Sequence, residues 1–179
     1  MIRLRQLAKD DLHDDFLKGY IRYQETKKLV RVVDGKLTVI PEYFVETWNS
    51  DKLTEISRYL KQCIIDGGKV VAIMKKDRCI GFANVENKTY QDRYFAVHYC
   101  HISKPYRNKG LGKKLFNKLV EVSKSLGVNK LYISSHPAIE TQAFYKSVGC
   151  VSASTIVTEL YEIEPLDIQL EYVIKKEKT

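Results

Sequence analysis

Polar and apolar positions alternate over Ile2-Arg3-Leu4-Arg5-Gln6-Leu7, the period of a strand with one covered face. Asp10 or Asp11 then caps a predicted helix running to about residue 27, with Leu12, Phe16 and Tyr20 at helical spacing. Two β-rich runs, residues 29–33 and 36–40, flank Asp34-Gly35, the dipeptide of a tight hairpin that Pro41 is expected to close. Tyr43, Phe44 and Trp48 follow with no period that places them. A second helix is predicted from Ser50 or Asp51, with Leu53, Ile56, Leu60 and Ile64 on one face and Gly67-Gly68 as its stop.

Strand patterns dominate next. Residues 70–74 and 79–85 form a predicted hairpin over Lys76-Asp77, and residues 94–102 are nearly continuous in apolar character, as in one central strand covered on both faces. A helix over 109–126 carries Leu111, Leu115, Leu119, Val122 and Leu126 as one stripe, and Gly127 ends it. Then come a strand at 130–134, a short helix at 139–147 stopped by Gly149, and two strands at 151–160 and 168–174. A strand, helix, strand crossover over 94–134 implies parallel pairing of its strands. The expected fold is α/β, a central mixed sheet with helices on both faces. One domain spanning 1–179 is expected, with no linker, repeat or low-complexity segment.

Composition narrows the function. Apolar residues make up 44% and charged residues 29%, so the chain is globular rather than disordered. The net charge of +8, from 30 Lys and Arg against 22 Asp and Glu, favours an anionic partner: nucleic acid, a membrane surface or a phosphorylated small molecule. Basic residues concentrate at 104–118 and in the tail at Lys175, Lys176 and Lys178. Cys63, Cys79, Cys100 and Cys150 have no metal-knuckle or CxxC spacing, and all four read as reduced thiols, which points to the cytoplasm. The N-terminal residues lack the apolar core of a secretory leader, and no apolar run has membrane-spanning length.

The segment Ile102-Ser103-Lys104-Pro105-Tyr106-Arg107-Asn108-Lys109-Gly110-Leu111-Gly112 joins the central strand to a helix. Gly110 and Gly112 remove side chains where backbone must approach something closely. A helix mouth offers unpaired N–H groups and partial positive charge, a site for phosphate, and Arg107, Lys109, Lys113 and Lys114 add charge around it. A strand-to-helix turn with two glycines is also common without any ligand, so the loop alone does not decide.

This segment closely resembles motif A of the GNAT (Gcn5-related) N-acetyltransferases, Arg/Gln-x-x-Gly-x-Gly/Ala after the family's fourth strand. Ala143-Phe144-Tyr145-Lys146-Ser147-Val148-Gly149-Cys150 resembles the family's motif B, and residues 164–172 resemble a bacterial subgroup. The resemblance is good over about 70–150; residues 1–69 match only in element order. It implies the acyl-CoA N-acyltransferase fold and direct transfer of acetyl from acetyl-CoA to an amine, with no metal. It further implies that the backbone of Cys100, His101 and Ile102 holds the pantetheine arm as an added strand. The amides from Arg107 through Asn108, Lys109, Gly110 and Leu111 to Gly112 would hold the pyrophosphate, with Lys113 in reach. An amide at or beside Ile102 would polarise the thioester carbonyl, and Tyr145 matches the general acid.

The base stays open. Some relatives carry Glu early in the fourth strand, where this chain has Ala96. His98 shares the face of Ala96 if no bulge intervenes, and an imidazole titrates near neutral pH. Glu86 is the other candidate, and water is a third. His98 and His101 fall on opposite strand faces, which argues against a shared metal. The resemblance gives residues 1–69, with an inserted hairpin at 29–40, and the strands of 151–175 to the acceptor side, and 70–150 to acetyl-CoA. Tyr43 and Trp48 would line a pocket or pack a core; Glu42 and Glu46 would attract an amine or be surface charges. A CoA-binding module without activity remains open. Nucleic-acid binding is disfavoured because the basic cluster coincides with the phosphate loop, and a homodimer is left open.

Overall fold

In the computed structural model, residues 1–175 are described; of the basic tail, Lys176 and Lys178 lie outside them. The sheet explains the sequence pattern residue by residue. Strand β4 (Lys69–Lys75) is buried on both sides. Its Val70, Ala72 and Met74 enter one apolar cluster with Ile56, Leu60 and Cys63 of helix α1 (Ser50–Ile65). Its Val71 and Ile73 enter another with Leu115, Phe116 and Leu119 of helix α2 (Leu111–Ser123). Alternation along one strand thus puts a helix on each face of the sheet.

β1 (Ile2–Gln6), β4, β5 (Arg78–Val85) and β8 (Cys100–Ile102) make an antiparallel half in the order β1-β4-β5-β8. The other half runs β10-β11-β9-β7-β6, from β10 (Val151–Ser152), β11 (Ile168–Val173), β9 (Lys130–Ser135), β7 (Tyr94–Val97) and β6 (Thr89–Tyr90). β7 and β9 are parallel, Tyr94 opposite Lys130 and Val97 opposite Ile133, as the crossover through α2 requires. The mixed sheet and the two-sided helices match expectation.

The predicted single strand over 94–102 is instead two. β7 pairs with β9, and β8 pairs with β5. Glu86 N–H donates to Ala96 C=O and Asn84 N–H to Tyr99 C=O, both at 3.0 Å, so the strand advances three residues while β5 advances two. That is a β-bulge at His98-Tyr99. The fully buried Asn84 plugs it: its Oδ1 accepts the Tyr99 N–H at 3.0 Å, and its Nδ2 donates to the Tyr59 hydroxyl at 3.3 Å.

Three further elements differ from expectation. The helix over 10–27 is absent. Lys9–Asp11 is one 3-10 turn, and Phe16, Lys18 and Tyr20 donate only to carbonyls three residues back. Asp11 is taken by the Ala8 N–H and by Arg5, and the buried anchors are Leu12, Leu17 and Tyr20 rather than a helical stripe. The hairpin is longer than 29–40: β2 (Tyr23–Val33) pairs with β3 (Lys36–Thr47). Pro41 does not close it but lies opposite Lys28 at a bulge, where a residue without N–H breaks no ladder bond. Lastly, the strand over 151–160 stops at Ser152, and Thr158–Tyr161 forms the short helix α4. Side chains capture the amides between: Glu171 accepts the Ser154 N–H at 3.0 Å and Tyr132 Oη the Val157 N–H at 3.2 Å. Helix α3 (Ile139–Ser147) stands as expected.

Candidate active site

The bulge separates β8 from β9 and, among the described residues, leaves one side of β8 without a partner strand. Ser103 N–H and Tyr99 C=O bond to β5, and His101 pairs with Phe82, so by antiparallel alternation the amides of Cys100 and Ile102 point outward. His101 therefore cannot hold a pantetheine arm through its backbone, as expected of it; its backbone faces the sheet. Its ring packs on Trp48 (5.0 Å between centroids), Tyr99 and Phe82. Burial, then the nearby Arg22 and Arg107, lower its pKa well below the usual imidazole value, so it is neutral.

Arg107 ties the site together. Its Nε donates to Ile102 C=O at 2.9 Å and its Nη1 to Tyr23 C=O at 2.8 Å. Its own N–H donates to Lys104 C=O at 3.3 Å. The guanidinium thus fixes the end of β8 against the start of β2, and the Arg107 amide, expected among the phosphate ligands, is already engaged. Lys109 Nζ likewise folds back on Pro105 C=O at 3.1 Å. The open amides begin at Asn108.

Asn108 and Gly110 are left-handed, at φ +58° and +73°, on either side of Lys109. Such alternation curls successive N–H groups into an anion-binding concavity. It continues into the first turn of α2, where Leu111, Gly112 and Lys113 have no acceptor within the helix; Lys114 N–H is the first to reach back, to Gly110 C=O at 3.4 Å. The two glycines serve different needs. A Cβ on Gly110 would meet nothing within 4 Å, so this position needs glycine for its dihedral and not for space. A Cβ on Gly112 would lie 3.0 Å from Phe144 Cε2, so Gly112 lets α2 press against α3.

That contact seats Tyr145. The ring is buried, with centroids 6.2 Å from Phe116 and 5.1 Å from Phe144. Burial above all, then Cys100, Cys150 and Asp167, raise its pKa well above that of free tyrosine, so the phenol keeps its proton. The two base candidates turn out to be partners: His98 Nε2 lies 3.0 Å from Glu86 Oε1, and Glu86 also accepts the hydroxyls of Tyr59 (2.8 Å) and Tyr90 (3.0 Å). Burial pushes the Glu86 pKa up, but His98 and the two phenols outweigh it and hold it down to about 2. His98 lines a cleft with Ala96, Tyr132 and Ser134, at the fork where β7 and β9 part. Ala96 and His98 thus open on the same cleft, with the bulge beginning at His98.

Arg22, His136 and Asn84 escaped sequence reasoning, whereas Glu46 was already a candidate. Arg22 is buried with its guanidinium 5.5 Å from the Trp48 ring centre. Glu46, read mainly as a surface charge, sits 2.6 Å from His136 Nε2 and 3.8 Å from Arg22 Nη2, whereas Glu42 pairs with Arg31 at 3.6 Å. His136 Nδ1 accepts the Ala138 N–H at 3.1 Å, which assigns the proton to Nε2, toward Glu46. For Asn84, a polar residue inside the buried run 79–85 was the only sequence signal. Among the described residues, no group of three or more His, Cys, Asp or Glu is arranged to hold a metal, and no helix is long and apolar enough to cross a membrane.

The fold thus brings together a forked mixed sheet, an open edge strand and a left-handed loop at a helix mouth. Residues 37–150 match the model of the Acetyltransferase (GNAT) family, and the chain belongs to that family. No curated protein matches it. Among solved structures, it is similar to a putative streptothricin acetyltransferase from Bacillus anthracis str. Ames in complex with acetyl coenzyme A, at 14% identity and TM-score 0.72 over 99% of both chains. It is also similar to nourseothricin acetyltransferase, at 16% identity and TM-score 0.70 over 97% of this chain and 99% of that one. An aminoglycoside 6'-N-acetyltransferase complexed with coenzyme A aligns at 15% identity and TM-score 0.55, over 72% and 83% of the two chains. At these identities the likeness is one of fold.

Proposed function

We propose that the protein transfers the acetyl group of acetyl-CoA to a primary amine by direct attack. One observation carries the reading: outward amides of an unpaired edge strand (Cys100, Ile102) continue into a loop of open, left-handed amides (Asn108 to Lys113), with a protonated phenol behind them. The strand amides suit a pantetheine arm, and the loop suits a diphosphate. Lys113, exposed on the first turn of α2, adds charge. Residues 1–69 and 151–175 form the acceptor side.

The chemistry follows from these positions. The neutral amine attacks the thioester carbon; an N–C bond forms and the C–S bond breaks. An outward amide, that of Cys100 or Ile102, stabilises charge on the carbonyl oxygen. Tyr145 donates its proton to the leaving sulfur, a weak acid being enough for a thiolate. His98 takes the proton of the attacking nitrogen, directly or through water. Glu86, with a pKa of about 2, is too weak a base at neutral pH and orients His98 instead. The four free cysteines, three of them buried, suit a reducing compartment, so the reading places the protein in the cytoplasm.

The test is thiol release from acetyl-CoA against a panel of amines. Streptothricin-type and aminoglycoside amines come first, because the similar structures carry those names. Release that depends on one class of amine supports the reading. Tight coenzyme A binding with no release on any amine would leave a binding module.

A further inference from the structure

Among the described residues, five buried side-chain polar atoms have no hydrogen-bonding partner: Tyr20 Oη, Arg22 Nε and Nη1, Thr26 Oγ1 and Glu46 Oε2. All belong to one short stretch of chain and its cross-strand neighbour. Glu46 is met by its ion contact with His136. Arg22 is not met. It is only 6% exposed, and its ion partner Glu46 stands 3.8 Å away, beyond hydrogen-bonding reach. The Tyr20 hydroxyl, on a ring stacked 6.3 Å from the same Trp48, is equally buried at 4%. A buried guanidinium with two idle N–H groups is costly to a fold, and a planar fork of this kind matches a carboxylate.

The backbone puts this fork beside the reaction. Ile21 N–H donates to Ser103 Oγ at 3.0 Å, Lys104 N–H to Ile21 C=O at 2.9 Å, and Trp48 N–H to Arg22 C=O at 3.4 Å. Arg22 is thereby stitched between the end of β8, which presents the Cys100 and Ile102 amides, and the end of β3. Arg107 and His101 add no negative charge there, and among the described residues Glu46 is the one carboxylate within ion-pair range of Arg22.

We propose that Arg22 selects the acceptor: its Nε–H and Nη1–H, with the Tyr20 hydroxyl, receive a carboxylate carried by the amine substrate, while Glu46 attracts the substrate's ammonium group. The acceptor class is then amino-acid-like, an amine with a nearby carboxylate. This rests on the N-acetyltransferase reading above.

The experiment uses matched amines with and without the carboxylate, lysine against cadaverine and alanine against alaninamide, with kcat/KM from thiol release. The wild type should favour the carboxylate member by about 10-fold or more, in line with sites that lose a charged partner. Arg22→Met should abolish the preference, leave the Kd for coenzyme A unchanged, and not lower the Tm, since it removes an uncompensated buried charge. Equal or reversed preference in the wild type overturns the proposal. So does weaker coenzyme A binding by Arg22→Met, which would make the bound anion a cofactor phosphate. A readout without turnover separates the two claims: N-acetyl-amino acids should raise the Tm of the coenzyme A-saturated wild type more than their amides do, and not that of Arg22→Met. If this difference holds while no amine is acetylated, only the catalytic reading fails; if the difference is missing, Arg22 is not a carboxylate site.

Discussion

The two parts of the proposed site are built by opposite means. The part assigned to coenzyme A uses backbone: amides of Cys100, Ile102 and the 108–113 loop, aimed by two left-handed residues and one bulge. The part assigned to the acceptor uses side chains from distant segments, with Arg22, Glu46 and His136 converging from three parts of the chain. Backbone donors tolerate change in the side chains above them, and depend on conformation. Convergent side chains depend on identity, and one substitution rewrites what they bind. A constant cosubstrate suits the first design, and a variable acceptor the second.

Substitutions separate the two. The largest effect is expected from Tyr145→Phe, which should lower kcat by about 10²-fold, a usual acid–base contribution, while leaving the Kd for coenzyme A unchanged by calorimetry. An undiminished kcat would move the acid elsewhere. Gly110→Val comes next. Its side chain has open space, so the penalty is the left-handed dihedral alone, at least about 1–2 kcal/mol, or about 10-fold in affinity for coenzyme A. Gly112→Leu should act differently, displacing Phe144 and with it Tyr145, so that kcat falls as well as affinity. If both variants behave alike, the separate roles of the two glycines are wrong.

Smaller effects test the bulge and the pair beside it. Asn84→Leu leaves the Tyr99 N–H without its partner and should destabilise the fold by about 1–3 kcal/mol, measured by urea unfolding. An unaltered midpoint would mean the bulge holds itself. Glu86→Gln should show its effect in the pH profile. The folded pKa of about 2 lies below the ordinary 4.5, so the carboxylate's stabilisation is fully present above pH 4.5 and fades as pH falls toward 2. The stability gap between wild type and Glu86→Gln should therefore narrow over that range; a constant gap would mean that the contribution of Glu86 is not that of its charge.

The same division explains what was legible in the sequence. A left-handed loop at a strand-to-helix junction needs glycines within a few residues, so Asn108 to Gly112 stood out locally as a candidate, and Tyr145 entered through the resemblance to motif B. The parallel pairing of β7 with β9 followed from the crossover. The N-terminal part resisted because Leu12, Phe16 and Tyr20 mimic a helical stripe, whereas Leu17 is buried and Phe16 only partly so, and the β2–β3 ladder takes up the residues that follow. The bulge left no mark in 94–102 itself; its cause, Asn84, lies in another strand. Arg22 and Glu46 look like ordinary surface charges until the hairpin brings them to His136.

The central claim is that open amides at the head of α2, with those of Cys100 and Ile102, grip acetyl-CoA. At 20.8 kDa the protein suits amide-resolved NMR. Titration with acetyl-CoA should move the Asn108 to Lys113 amides most, and those of Cys100 and Ile102 next, while the amide of His101, bonded into the sheet, moves least. If the 108–113 amides stay in place while others shift, the cosubstrate binds elsewhere and the account is contradicted.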